Sequence, residues 1–156
     1  MNTKRKERFT NVYKNNLWGC KESFSGPGST LKNASHDMHF LKAKIKDSFP
    51  LRSCISIVDV PCGDMNWMST LLEDLQKDYE VSYTGLDIVD ELIKLNTEKY
   101  PQHQFKTFDV VQEKLLHSDI IICRDLLNHL SSTDVKKEAI FCCSSRHGKF
   151  NLYLEI

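Results

Sequence analysis

The run Val58-Asp59-Val60-Pro61-Cys62-Gly63-Asp64-Met65-Asn66-Trp67, followed by Tyr83-Thr84-Gly85-Leu86-Asp87, constrains the fold of this chain more than any other stretch. An apolar strand breaks at a turn containing glycine, and a second strand then ends in an acid. Open α/β sheets hold nucleoside-containing ligands in this way, outside the carboxyl ends of their strands.

The pattern around that run alternates. Cys54 to Val60 is short, β-branched and apolar on both faces, as a strand buried between helix layers must be. A helix is expected near Asn66 to Gln76, then strand Val81 to Asp87, helix Val89 to Tyr100 and strand Gln104 to Phe108. Strand Asp119 to Cys123, a helix near Thr133 to Cys143 capped by Ser131 or Ser132, and a terminal strand Phe150 to Ile156 complete the series. Such alternation with short links predicts a mostly parallel sheet built from right-handed crossovers. Ahead of it, Leu31, Met38, Leu41, Ile45 and Phe49 mark an amphipathic helix that follows a Gly-Pro-Gly-Ser breaker.

With 156 residues the chain suits one domain, divided here into a basic, helical cover segment (1–50) and a nucleoside-binding core (51–156). The 21 basic and 21 acidic residues cancel, so no overall charge draws the chain to nucleic acid or to a membrane. The balance is uneven along the chain: residues 1–50 hold ten Lys/Arg against four Asp/Glu, and the remainder holds eleven against seventeen. Lys4-Arg5-Lys6-Glu7-Arg8 reads either as a nucleic-acid or targeting arm or, more simply, as a solvated, frayed terminus.

Six cysteines, at 20, 54, 62, 123, 142 and 143, show neither a Cys-x-x-Cys pair nor zinc spacing to histidine. Cys54 and Cys123 fall in runs that read as buried strands, where a thiol acts as a small hydrophobe. Reduced cysteines and the lack of a long apolar stretch predict a soluble, cytoplasmic protein. His36 and His39 share a helix face without a third ligand and read as a solvated pair, so no metal is expected.

Three acids follow three successive strands on one sheet edge. Asp64 lies in the glycine loop, where it can accept from an ammonium group; Asp87 ends the second strand, where a carboxylate takes both hydroxyls of a ribose. Asp109 follows Phe108 at the end of the third strand, where a carboxylate can accept from an adenine amino group between apolar neighbours. Each acid taken alone reads equally well as a cap or turn residue. A dinucleotide site calls for three glycines to seat pyrophosphate on a helix N-terminus, whereas here one glycine is followed at once by an acid. That favours a ligand with a cationic part.

On these residues the chain resembles the class I S-adenosylmethionine-dependent methyltransferases. Asp59 to Asp64 resembles the family's first motif in a Pro-Cys variant, Asp87 its ribose-binding acid and Asp109 its acid near adenine. Asp119 to Asp125, leading into Leu127-Asn128-His129-Leu130, resembles its fourth-strand motif. Asn16-Leu17-Trp18-Gly19 and Glu22 to Ser29 resemble the N-terminal segment of a small subgroup, in which it folds over the cofactor. The resemblance implies a Rossmann-like sheet of about five strands, order 3-2-1-4-5, with helices on both faces.

It further implies S-adenosyl-L-methionine as cofactor, held by Asp59, Pro61, Cys62, Gly63, Asp64, Trp67, Asp87, Ile88, Asp109, Val110, Arg124 and Trp18. Methyl would pass to a small-molecule or glycan acceptor, with Arg124, Asp125 and His129 at the acceptor side. His129 is the candidate base, with a packing histidine as the alternative. Arg124 and Asp125 can equally form an ion pair that shapes the pocket. The third glycine of the family loop is replaced by Met65, and the family continues beyond a fifth strand, whereas this sequence stops at Ile156. A bare sheet edge is therefore expected, and with it a homodimer, a missing C-terminal portion or marginal stability. The competing readings are a binding or interaction module without turnover and, less well matched to a single-glycine loop, a nicotinamide oxidoreductase.

Overall fold

The computed structural model describes residues 3–115, 117–131, 134 and 152–155. Helix α1 (Thr3–Lys14) and helix α2 (Leu31–Ser48) precede the first strand, β1 (Cys54–Asp59). Helix α3 (Asn66–Leu75), β2 (Glu80–Asp87), α4 (Asp90–Lys99) and β3 (Gln104–Thr107) follow, then β4 (Ile120–Cys123) and β5 (Leu152–Glu155). All strand pairs are parallel, in the order β3-β2-β1-β4-β5. The helix expected over 133–143 lies outside the described residues. At its expected start, the Asp134 N–H donates to Ser131 Oγ at 3.2 Å, a capping contact.

The sheet sorts its side chains by the period of two that pleating imposes. Ile55 and Ile57 of β1 and Ile120 and Ile122 of β4 join Leu41 and Ile45 of α2 and Met68, Leu71 and Leu72 of α3 in one core. Val58, Val60, Leu86, Ile121 and Cys123 point the other way, into a second core closed by Phe108, Val110, Val111, Leu115 and Leu126. Each fully buried Leu or Ile of this kind contributes about 1.5 to 3 kcal/mol. Helix α2 starts where the Thr30 side chain accepts from the Asn33 N–H, and it buries Ala34, Leu41 and Ile45.

Two expectations are corrected. The basic leader is not a frayed arm: it forms α1, with Arg5, Phe9 and Tyr13 at fourfold spacing on one face. Phe9 is buried with Val89 and Leu92, and Lys6 pairs with Asp90 at 2.5 Å, so α1 is stapled to the start of α4. Cys54 is exposed, because it is the first residue of β1 and projects past the core, where its thiol donates to Glu80 of the neighbouring strand. Among the described residues no helix is long and apolar enough to cross a membrane, and no cluster of metal-ligating side chains forms.

Candidate functional site

Crossing from β1 to β4 reverses the direction of strand succession, and a cleft opens there at the carboxyl ends of the strands. The loop after β1 supplies Pro61, Cys62, Gly63 and Asp64 to its wall, the end of β2 Asp87 and Ile88, and the end of β3 Phe108, Asp109 and Val110. Trp67 of α3 and Arg124, Asp125 and His129 beyond β4 complete the side that sequence predicts, and Trp18 closes over it.

Asp87 is buried, and burial pushes its carboxyl up to about 6 against the backbone bonds that favour its charge. One oxygen accepts from the Gly63 N–H at 3.1 Å and the other from the Val89 N–H at 3.0 Å. The second strand thereby holds the glycine loop in place. Gly63 takes φ +53°, and a Cβ there would sit 2.3 Å from Ser25 Oγ, so only glycine lets the cover segment approach this closely.

That cover segment is bound to the loop through Asp64. Its carboxylate accepts from Ser23 Oγ at 3.0 Å and from the Phe24 N–H at 2.6 Å, while the Asp64 N–H donates to Ser25 Oγ at 3.0 Å. Ser25 Oγ also lies 3.1 Å from Tyr13 Oη. Burial and the nearby Asp87 and Asp64 carboxylates drive the Tyr13 phenol well above its ordinary range. Asn66 adds donors to Glu22 and to the Ser29 carbonyl. Where sequence assigns Asp64 to a ligand ammonium, the structure shows its oxygens engaged by residues 23 and 24.

Asp109 is fully buried and paired with Arg5 at 2.5 Å, and it also accepts from the Val111 N–H at 3.2 Å. Arg5 reaches Asp134 as well, at 3.0 Å. Arg124 is held at three points: Asp37 of α2 at 2.9 Å, Asp125 at 2.8 Å and the Gly28 carbonyl at 3.1 Å. Its guanidinium lies 5.4 Å from the centre of the Trp67 ring. The Arg124–Asp125 pair is therefore present, and Arg124 ties both α2 and the cover segment to the end of β4.

Asp59 is the sequence-assigned site residue that falls outside the cleft wall. It shares the pleat face of Ile55 and Ile57, where Tyr83 Oη donates to one carboxylate oxygen at 2.8 Å and the other has no partner among the described residues. Burial pushes its carboxyl up to about 7. Sequence reasoning did not find Arg5, Phe9, Tyr13 or Ser25, all of which line the cleft. The first three carry a signal in their fourfold spacing; Ser25 carries one only as a member of the Glu22 to Ser29 segment, and its place over Gly63 is set by the fold.

No protein-family model matches the chain, and no curated protein does either. Solved structures do match. A phosphoethanolamine N-methyltransferase of Haemonchus contortus, in complex with phosphoethanolamine and S-adenosylhomocysteine, aligns with TM-score 0.57 at 17% identity over 89% of this chain and 29% of its own. The magnesium protoporphyrin IX methyltransferase of Synechocystis PCC 6803, with bound S-adenosylmethionine, aligns with TM-score 0.55 at 16% identity over 73% and 53% of the two chains. An amino pentose methyltransferase of Micromonospora echinaspora aligns with TM-score 0.55 at 16% identity over 70% and 45%. The chain thus spans from 29% to 53% of the length of these neighbours. Strand order, cleft position and these alignments agree: the chain has the Rossmann-like fold of the class I S-adenosylmethionine-dependent methyltransferases.

Proposed function

We propose that the chain binds S-adenosyl-L-methionine in this cleft and directs its methyl group to a small-molecule acceptor. The single observation that carries the reading is the buried Asp87 at the end of β2, bonded to the Gly63 N–H in the cleft wall. The residues present fit this cofactor and not a dinucleotide. Gly63 N–H is taken by Asp87 and Asp64 N–H by Ser25, so the loop offers no donor pair to a pyrophosphate. Four carboxylates, at positions 64, 87, 109 and 125, line the cleft against Arg5 and Arg124, a net acidic lining in keeping with a ligand that carries sulfonium and ammonium charges.

When bound, the cofactor supplies an electrophilic methyl group. Asp87 takes the ribose, and Ile88, Phe108 and Val110 provide the apolar slot for the adenine, with Asp109 at its polar edge. Pro61, Cys62, Gly63 and Asp64 would hold the amino-acid tail, and Trp18 and Trp67 on the cleft lining would exclude water from it. Arg124 positions Asp125 and the cover segment, and His129 faces the acceptor as base. Residues 1–50 act as the cover and 51–156 as the core. Positioning of this kind supplies up to ~7 to 11 kcal/mol toward a bimolecular transfer.

Isothermal titration tests the reading directly. S-adenosylmethionine and S-adenosylhomocysteine bind with micromolar affinity and NAD does not; absence of binding by the first two would sink it. Asp87→Ala abolishes the binding, and an unchanged affinity removes the ribose assignment.

A further inference from the structure

Three separated parts of the chain put rings on one wall of the cleft. Phe9 of α1 meets the His129 ring edge-on, with centroids 6.1 Å apart at 85°. Trp18 lies over His129 at 5.5 Å and 36°, and Tyr13 abuts Trp18 at 5.2 Å and 80°. Phe9, Tyr13, Trp18 and His129 all line the cleft. Neither nitrogen of the His129 ring has a hydrogen-bond partner among the described residues, so packing alone orients the imidazole.

Each arginine on that wall is shared by two carboxylates, so both ion-pair clusters are acidic on balance. Arg5 is engaged by Asp109 and Asp134, and Arg124 by Asp37, Asp125 and the Gly28 carbonyl. Both described cations of the cleft are therefore charge-paired inside the protein. A phosphate or carboxylate acceptor would meet aromatic faces and carboxylates there. A cationic acceptor would meet ring quadrupoles and the half-exposed Asp125, which shares Arg124 with Asp37 and so keeps part of its charge unmatched.

We propose that the methyl acceptor is an amine, captured as its ammonium ion against Phe9, Trp18 and His129 beside Asp125. The proposal rests on the methyl-transfer reading above. Proximity to a sulfonium disfavours a second positive charge, so the ammonium is driven to release its proton as it reaches the donor. His129 takes that proton and passes it to solvent. The amine nitrogen then bonds to the methyl carbon, the carbon–sulfur bond breaks, and its electron pair stays on sulfur. Proton and charge balance with no further reactant.

A matched series tests this: benzylamine, benzyl alcohol and benzoate, titrated into the S-adenosylhomocysteine-loaded protein and then assayed for turnover with S-adenosylmethionine. Benzylamine binds at least tenfold tighter than the other two and alone is methylated. Phe9→Leu reduces that preference several-fold while S-adenosylhomocysteine binding persists. His129→Gln, which removes both a ring of that wall and the base, weakens benzylamine binding and abolishes its methylation. Equal binding of all three probes, or a preference for benzoate, overturns the amine assignment and leaves the methyl-transfer reading standing. Failure of S-adenosylhomocysteine to bind overturns both.

Discussion

Replacing Asp59 by Asn stabilises the protein in mildly alkaline solution, and the gain disappears in acid. The side chain is buried on the Tyr83 side of β1, with one carboxylate oxygen accepting from Tyr83 Oη and the other unpartnered among the described residues. Burial raises its pKa from an ordinary 3.8 to about 7. The unfolded chain ionises at the lower value, so the folded state binds an extra proton between the two. Stability from this group is therefore intact below about pH 4, falls as pH rises toward 7, and carries the full penalty above. At ~1.4 kcal/mol per pH unit that penalty is about 4 kcal/mol. Asn cannot ionise, but its amide adds a buried donor that costs about 1 to 3 kcal/mol at any pH. The net gain at pH 8 is thus about 1 to 3 kcal/mol. The pH-independent amide cost cancels in a comparison: the effect of Asp59→Asn is about 3 kcal/mol more favourable at pH 8 than at pH 4.5. Urea unfolding of both proteins at the two pH values measures this directly. An effect that is the same at both pH values refutes the argument, because it means that Asp59 is not held neutral by burial.

Two other substitutions probe the walls of the cleft. Arg5→Ala removes the pairing cation from the fully buried Asp109 and costs on the order of 3 kcal/mol in urea unfolding, compared with under ~0.5 for the exposed Lys4→Ala. Gly63→Ala places a methyl 2.3 Å from Ser25 Oγ at a φ of +53°, and lowers stability by ~1 to 3 kcal/mol; combining it with Ser25→Gly recovers part of the loss in a double-mutant cycle.

The parallel sheet is legible in the sequence because its strands are buried on both faces. Runs such as Ile55 to Val60 and Ile120 to Cys123 have no polar side to conceal their identity. The glycine loop is legible because a break between strand and helix at Gly63, with acids after successive strands, has few other uses. Helix α1 is hidden by composition. Its stripe consists of Arg5, Phe9 and Tyr13 among lysines and asparagines, and an arginine that neutralises a buried carboxylate looks in sequence like any solvated base. The placement of Asp59 was available in principle, since the period of two puts it on the face of Ile55 and Ile57 and away from the cleft. Cys54 departs from its buried expectation only because it opens the strand.

By itself the sequence determined the succession of strands and helices from α2 to β4, the position of the ligand loop, and which side chains reach one edge of the sheet. These follow from local periodicity and from the handedness of parallel crossovers. Only the tertiary structure decided which of those side chains remain available to a ligand. Asp64 is engaged by Ser23 and Phe24, Asp109 by Arg5 and Arg124 by Asp37, with partners 41, 40, 104 and 87 residues away. Long-range ion pairs and hydrogen bonds leave no trace in local pattern, because any carboxylate can accept from any donor that folding brings within reach.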